Sequence, residues 1–113
     1  MHELSLCQRI LDVVNEYLNG VSCQRVKIIH LEVGQLKAIN PMALTFAFEV
    51  LTKGSKLENA CLDIYEIEGL AICDNCHKTV KLKHYGEPCN YCHQYHLTLL
   101  QGDELRLKSM EVE

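Results

Sequence analysis

The sequence predicts an α+β fold, with two helices on a three-stranded, mainly antiparallel sheet and a cysteine-built lobe inserted before the last strand. Three observations predict it. Residues 3–19 and the stretch after Asn40-Pro41 carry apolar side chains at helical spacing. Segments 25–36, 61–68 and 104–112 are rich in Val, Ile and Leu with strand-like alternation. From Cys73 to His96 aliphatic residues give way to Cys, His, Asn, Lys and Gly, a composition that cannot build its own core.

In the first helix Leu4, Cys7, Leu11, Val14 and Leu18 recur at alternating steps of three and four, with Leu6, Ile10, Val13 and Tyr17 beside them. Gln8, Arg9, Asp12, Asn15, Glu16 and Asn19 form the polar side, and Asn19-Gly20 stops the helix because both residues tolerate the left-handed conformation. The first strand, 25–36, alternates Ile29, Leu31 and Val33 with His30 and Glu32. Asn40 can accept a hydrogen bond from an orphan amide, and Pro41 stands where its missing N–H is harmless, so the second helix starts there. Leu44, Ala47, Phe48 and Leu51 make its apolar stripe, and it ends near Gly54. Strands at 61–68 and 104–112 complete the sheet. In the last one the apolar phase slips from Leu105 and Leu107 to Met110 and Val112, as a bulge would cause.

Length and charge narrow the function classes. A chain of 113 residues fits one domain with a small appendage, and its core rests on Leu, Ile and Val, since Trp is absent and Phe occurs twice. A formal charge of −4 with 11 Lys plus Arg offers no cationic block, so neither a nucleic-acid nor a membrane partner is expected. No stretch approaches the roughly 18 apolar residues of a membrane span. Met1-His2-Glu3-Leu4-Ser5 has no basic segment followed by an apolar run, so it does not read as a signal peptide and a cytoplasmic location is expected. Reducing compartments disfavour disulfides, and seven cysteines cannot all pair within one chain. Metal ligation is therefore the reading for the clustered four, whereas Cys7, Cys23 and Cys61 read as small hydrophobes.

The four are Cys73, Cys76, Cys89 and Cys92, two C-x-x-C pairs with residues 77–88 between them. Two intervening residues let both sulfurs of one tight turn reach a single ion, and two facing turns complete a tetrahedron. Zinc has no d-electron preference against that geometry and takes four thiolates. Residues 71–98 thus form a zinc-ribbon lobe, closed by a connection through Tyr85-Gly86-Glu87-Pro88. Both motifs also read C-x-x-C-H, but covalent haem belongs outside the cytoplasm, and a rubredoxin-like iron site is an in vitro alternative. A closed four-cysteine site stabilises rather than catalyses. His77, His84, His93 and His96 surround it as exposed imidazoles; His77 or His93 is an accessory candidate for exchange with a thiolate.

At the other end His2 follows a terminal amine. An amine, backbone nitrogens that can deprotonate on a metal and a nearby imidazole form fused small rings, a nitrogen-rich tetragonal set suited to Ni(II) or Cu(II). The opening Met1-His2-Glu3-Leu4-Ser5-Leu6, the strand 26–36 with Gly34, the second helix with Glu49, the two cysteine pairs and the closing Gly102-Asp103-Glu104-Leu105 with Ser109-Met110-Glu111 together resemble the HypA/HybF family, essentially end to end.

The resemblance implies a nickel metallochaperone for the maturation of [NiFe]-hydrogenase and, in some organisms, urease. It implies His2 as the essential Ni(II) ligand, helped by nitrogen of Met1 and by the backbone or carboxylate of Glu3, with nickel as cargo and structural zinc on the four cysteines. Residues 1–70 plus 99–113 would form the nickel-binding domain. The implied partners are the maturation GTPase HypB and the hydrogenase large subunit, and members occur as monomers and homodimers. In one respect the sequence departs: where some relatives carry a carboxylate at the start of the second helix, this chain has Asn40, which reads as a cap. No nucleophile–base pair or phosphate-cradling glycine loop is evident, so no enzymatic activity is expected. The competing reading is a zinc-ribbon interaction adaptor, which explains the cysteines and leaves His2 without a purpose; a zinc hydrolase would need an open coordination position.

Overall fold

The computed structural model describes residues 3–113 and divides them between two compact units. One unit comprises residues up to Glu32, Ile39–Tyr65 and Leu105–Glu113; the other comprises Val33–Ala38 and Glu66–Glu104.

The first unit opens with α1 (Glu3–Leu18). Its buried face is Leu6, Cys7, Ile10 and Val14; of the expected stripe Cys7 and Val14 are buried, Leu11 and Leu18 half-buried and Leu4 exposed, so the inward face is turned toward Leu6 and Ile10. Gly20, at φ 80, ends the helix as expected of a left-handed cap. Strand β1 (Val26–Gly34) leads into a 3-10 turn, Gln35–Lys37, and α2 (Pro41–Leu51) follows. Leu44 and Phe48 are the buried residues of α2, whereas Leu51 is exposed. The buried Thr52 hydroxyl donates to Phe48 O at 2.7 Å, a second bond to a carbonyl that also accepts the Thr52 backbone N–H at 3.1 Å.

Strands β2 (Cys61–Ile67) and β6 (Leu105–Val112) flank β1 in the order β2-β1-β6. Hydrogen bonds from Glu113 N–H to Arg25 O and from Gly34 N–H to Glu104 O run β6 antiparallel to β1. Strand β2 differs from β6 in direction. It is reached through the α2 crossover and runs parallel, which makes the sheet mixed; a parallel neighbour needs such a long connection. Within β1, Ile29 and Leu31 are buried and His30 lies on the opposite side, and α1 packs on α2 and β6. Along β6 the inward phase passes from Leu105 and Leu107 to Met110.

The second unit contains an antiparallel sheet absent from the sequence expectation. Strands β3 (Leu70–Cys73), β4 (Thr79–Lys81) and β5 (Leu97–Gln101) are ordered β4-β3-β5, with Ala71 paired to Val80 on one side and Leu99 on the other. Leu36, Ala71, Cys73, Val80, Leu82 and Cys89 form its buried core. Backbones approach closely here: a Cβ on Gly34 would collide with Gly102 O, and one on Gly69 with Leu82 O. No helix among the described residues is long and apolar enough to cross a membrane.

Candidate metal centre

The two cysteine pairs lie in turns that repeat one another. At the end of β3, Cys73 donates its N–H to Lys78 O (3.0 Å) and accepts from His77 N–H (2.8 Å). Cys89 donates to Gln94 O (2.8 Å) and accepts from His93 N–H (2.8 Å). His77 and His93 both adopt left-handed backbone conformations, at φ 64 and 65, which turns the chain back after the second cysteine of each pair. Backbone amides also point at sulfur. Cys76 N–H lies 3.5 Å from Cys73 Sγ and Tyr91 N–H lies 3.4 Å from Cys89 Sγ, so each turn supplies an amide donor to the first sulfur of its pair.

Between the turns, Cys73 Sγ and Cys92 Sγ are 3.5 Å apart, Cys76 Sγ and Cys89 Sγ 3.7 Å, and all four sulfurs fall within 4.8 Å of one another. Metal–sulfur bonds of about 2.3 Å at tetrahedral angles set sulfurs about 3.8 Å apart, so the cluster has the dimensions of one zinc ion's coordination shell. Cys73 and Cys89 are fully buried, Cys76 and Cys92 partly so. The Asn75 side chain and the Gln94 backbone hold the Cys92 thiol down to about 6. Backbone donation from Cys92 and Tyr91 lowers Cys89. Cys76 is pushed up to about 11: the Lys78 backbone acts to lower it, but burial and the three neighbouring sulfurs outweigh that contact. Four thiolates this close would repel one another, and a central dication would offset that repulsion if Cys73, Cys76, Cys89 and Cys92 held it together. A metal held by all four cysteines would have sulfur at every position of a tetrahedron, with no place left for substrate or water.

Two contributors to this centre escaped the sequence reading. Asn75 lies inside a C-x-x-C pair, where a side-chain donor to the partner pair's sulfur has no sequence signature. Leu36 belongs to the same buried core as Cys73 and Cys89 although it precedes β3 by a whole helix and strand. Among the described residues the four cysteines are the group that converges as metal ligands; His77, His84, His93 and His96 are exposed around them. Cys7 is buried, and burial pushes its thiol up, whereas Cys61 is exposed on β2 and does not behave as a buried small hydrophobe.

Met1 and His2 lie outside the described residues. Glu3 begins α1, and its Oε2 accepts from the Asn40 N–H at 3.3 Å. Asn40 caps α2, its Oδ1 accepting from Met42 N–H (3.0 Å) and Ala43 N–H (3.2 Å).

Comparison with known proteins agrees with this architecture. A family described as "Hydrogenase/urease nickel incorporation, metallochaperone, hypA" matches residues 1–112. A hydrogenase maturation factor HypA of Legionella pneumophila is 47% identical over 113 residues, covering 100% of both chains. One from Azotobacter chroococcum mcd 1 is 40% identical, again over 100% of both. The solution structure of the Ni metallochaperone HypA from Helicobacter pylori superposes with a TM-score of 0.68 at 25% identity, over 99% of this chain and 97% of that one. Both curated relatives are hydrogenase maturation factors. A match that runs through both units, at identities that leave no doubt of common descent, establishes that the chain belongs to the HypA family of metallochaperones for hydrogenase/urease nickel incorporation.

Proposed function

We propose that this chain carries Ni(II) on its first residues and passes it to a [NiFe]-hydrogenase large subunit during maturation, with urease a second destination. His2 is the principal ligand, joined by nitrogen of Met1 and by the backbone or carboxylate of Glu3. Cys73, Cys76, Cys89 and Cys92 hold a structural zinc ion, which orders the turns that bear them. The observation that carries this reading is the sulfur cluster: its four sulfurs are enough to complete one tetrahedral shell, which supports a separate place for the cargo ion. In this division of labour residues 1–70 plus 99–113 serve nickel and 71–98 serve zinc, with His77 and His93 accessory to the zinc site.

A chaperone site must release its ion to a better-fitting one. Micromolar binding corresponds to only about 8 kcal/mol, within reach of a few nitrogen ligands at an accessible terminus. Protonation of His2 or of the amine competes with nickel, so affinity falls on acidification. The partners in this reading are the maturation GTPase HypB and the hydrogenase large subunit, in the cytoplasm, with a homodimer as the candidate assembly.

Nickel calorimetry on the tag-free, zinc-loaded chain tests the assignment. Wild type is expected to bind Ni(II), and both His2→Ala and a form extended at the N-terminus are expected to lose that binding. Retention of wild-type affinity in both would remove the delivery site and leave a zinc-stapled adaptor.

A further inference from the structure

The open side of the first unit's sheet carries a constellation that nickel and zinc do not use. His30 stands in the middle of β1, the central strand, and each of its ring nitrogens meets a carboxylate on a different neighbouring strand. Nδ1 lies 2.7 Å from Asp63 Oδ2 on β2, and Nε2 lies 2.8 Å from Glu111 Oε2 on β6. A neutral imidazole has one N–H and one lone pair, so it can donate to only one of them; the other nitrogen would face a carboxylate oxygen lone pair to lone pair. Only the imidazolium satisfies both contacts. We propose that His30 is a proton-operated clasp: as an imidazolium it fastens both edge strands, β2 and β6, to β1, and on deprotonation it lets one of them go.

The surroundings favour the charged form. From β2, Cys61, Asp63 and Tyr65 are exposed, and from β6, Arg106, Lys108 and Glu111. Of the two cations, Arg106 is engaged with Glu32 of β1 at 3.5 Å, and Lys108 Nζ lies 5.9 Å from the Tyr65 ring centroid. Asp63 and Glu111 are therefore the charges in direct contact with the ring. The Glu111 bond first, and the Asp63 bond after it, raise the His30 pKa above its ordinary 6.5. The sign follows from a folded-state pKa that exceeds the unfolded one. The clasp contributes its full stabilisation below about pH 6.5, and that contribution is lost as pH rises through the raised value.

Two measurements on the zinc-loaded full chain test this. Long-range 1H–15N NMR of His30 should find both ring nitrogens protonated near pH 6 and a titration midpoint above the free imidazole value. Thermal unfolding from about pH 6 to about pH 9 should show a fall in wild-type Tm that is absent from His30→Gln and from the Asp63→Asn/Glu111→Gln double variant. The other histidines remain in every variant, so their titration cancels in the comparison. Should His30→Gln fail to fold, the carboxylate double variant and the wild-type NMR decide the matter. An unprotonated ring nitrogen near pH 6, a midpoint at or below the free value, or parallel Tm–pH curves in wild type and the variants would each overturn the proposal.

Discussion

Asn40 shows how a single side chain can be assigned by counting its hydrogen bonds. Its Oδ1 accepts from both Met42 and Ala43 amides, and Pro41, which precedes them, has no N–H to satisfy, so the acceptor is committed to the helix end. What reaches toward Glu3 is the Asn40 backbone N–H, not its side chain. Asn40→Ala should therefore lower stability by about 1 kcal/mol, the usual cost of an N-cap, read as a lower urea midpoint. Nickel affinity by calorimetry should stay at the wild-type value, because the backbone contact to Glu3 survives. A loss of nickel affinity larger than the loss of stability would instead make Asn40 a ligand. This residue was legible in the sequence because capping is local chemistry: acceptor, proline and amides fall within four positions. The His30 clasp was not, because its partners lie 33 and 81 residues away and meet it only through strand order.

At the scale of elements, legibility followed core depth. α1, β1 and α2 each bury one side in an aliphatic core, and β2 and β6 keep one side half-buried, so their periods of 3.6 and 2 are written in the residues. The helix faces are less secure than the helices. In α1 the apolar residues cover more than half the circumference, so several stripes fit equally and packing against α2 and β6 selects the one through Leu6, Ile10 and Val14. β3, β4 and β5 carried no such signal, being 4, 3 and 5 residues long, with a core completed by sulfur and by the distant Leu36. Their closeness imposes a different demand, read only from the structure. Gly34 has an ordinary φ of −68, so its glycine is required for space rather than for conformation: a side chain would meet the rigid backbone carbonyl of Gly102. Gly34→Ala should thus cost about 3 kcal/mol, the upper end of overpacking, since no rotamer change relieves a backbone clash. Alanine at Gly20, which has open space around it but a φ of 80, should cost only about 1 kcal/mol. Equal urea midpoints for the two variants would refute the packing argument for Gly34.

For the whole molecule, the two units rest on different kinds of core, and that difference predicts different responses to metal removal. The first unit buries Leu6, Ile10, Val14, Val26, Ile29, Leu31, Leu44, Phe48 and Leu57, an aliphatic and aromatic set large enough to hold helices without a metal. In the second, the cluster around the cysteines has six buried residues, two of them metal-site cysteines; Cys76 and Cys92 pack against it, and its other buried members are Leu36, Ala71, Val80 and Leu82. Without a cation the crowded sulfurs lose their common partner and the core loses its centre; structural zinc in comparable small sites supplies about 10–16 kcal/mol of apparent binding energy. Chelation of zinc from the full chain is therefore expected to abolish amide-exchange protection across β3, β4 and β5, while amides of α1 and α2 stay protected and the helical circular dichroism persists. Cys92→Ser, which removes one sulfur, should shift the chelator concentration needed for that transition downward. If α1 and α2 lose protection at the same chelator concentration as β3, the first unit depends on the zinc cluster for its fold, and stability is a property of the undivided chain.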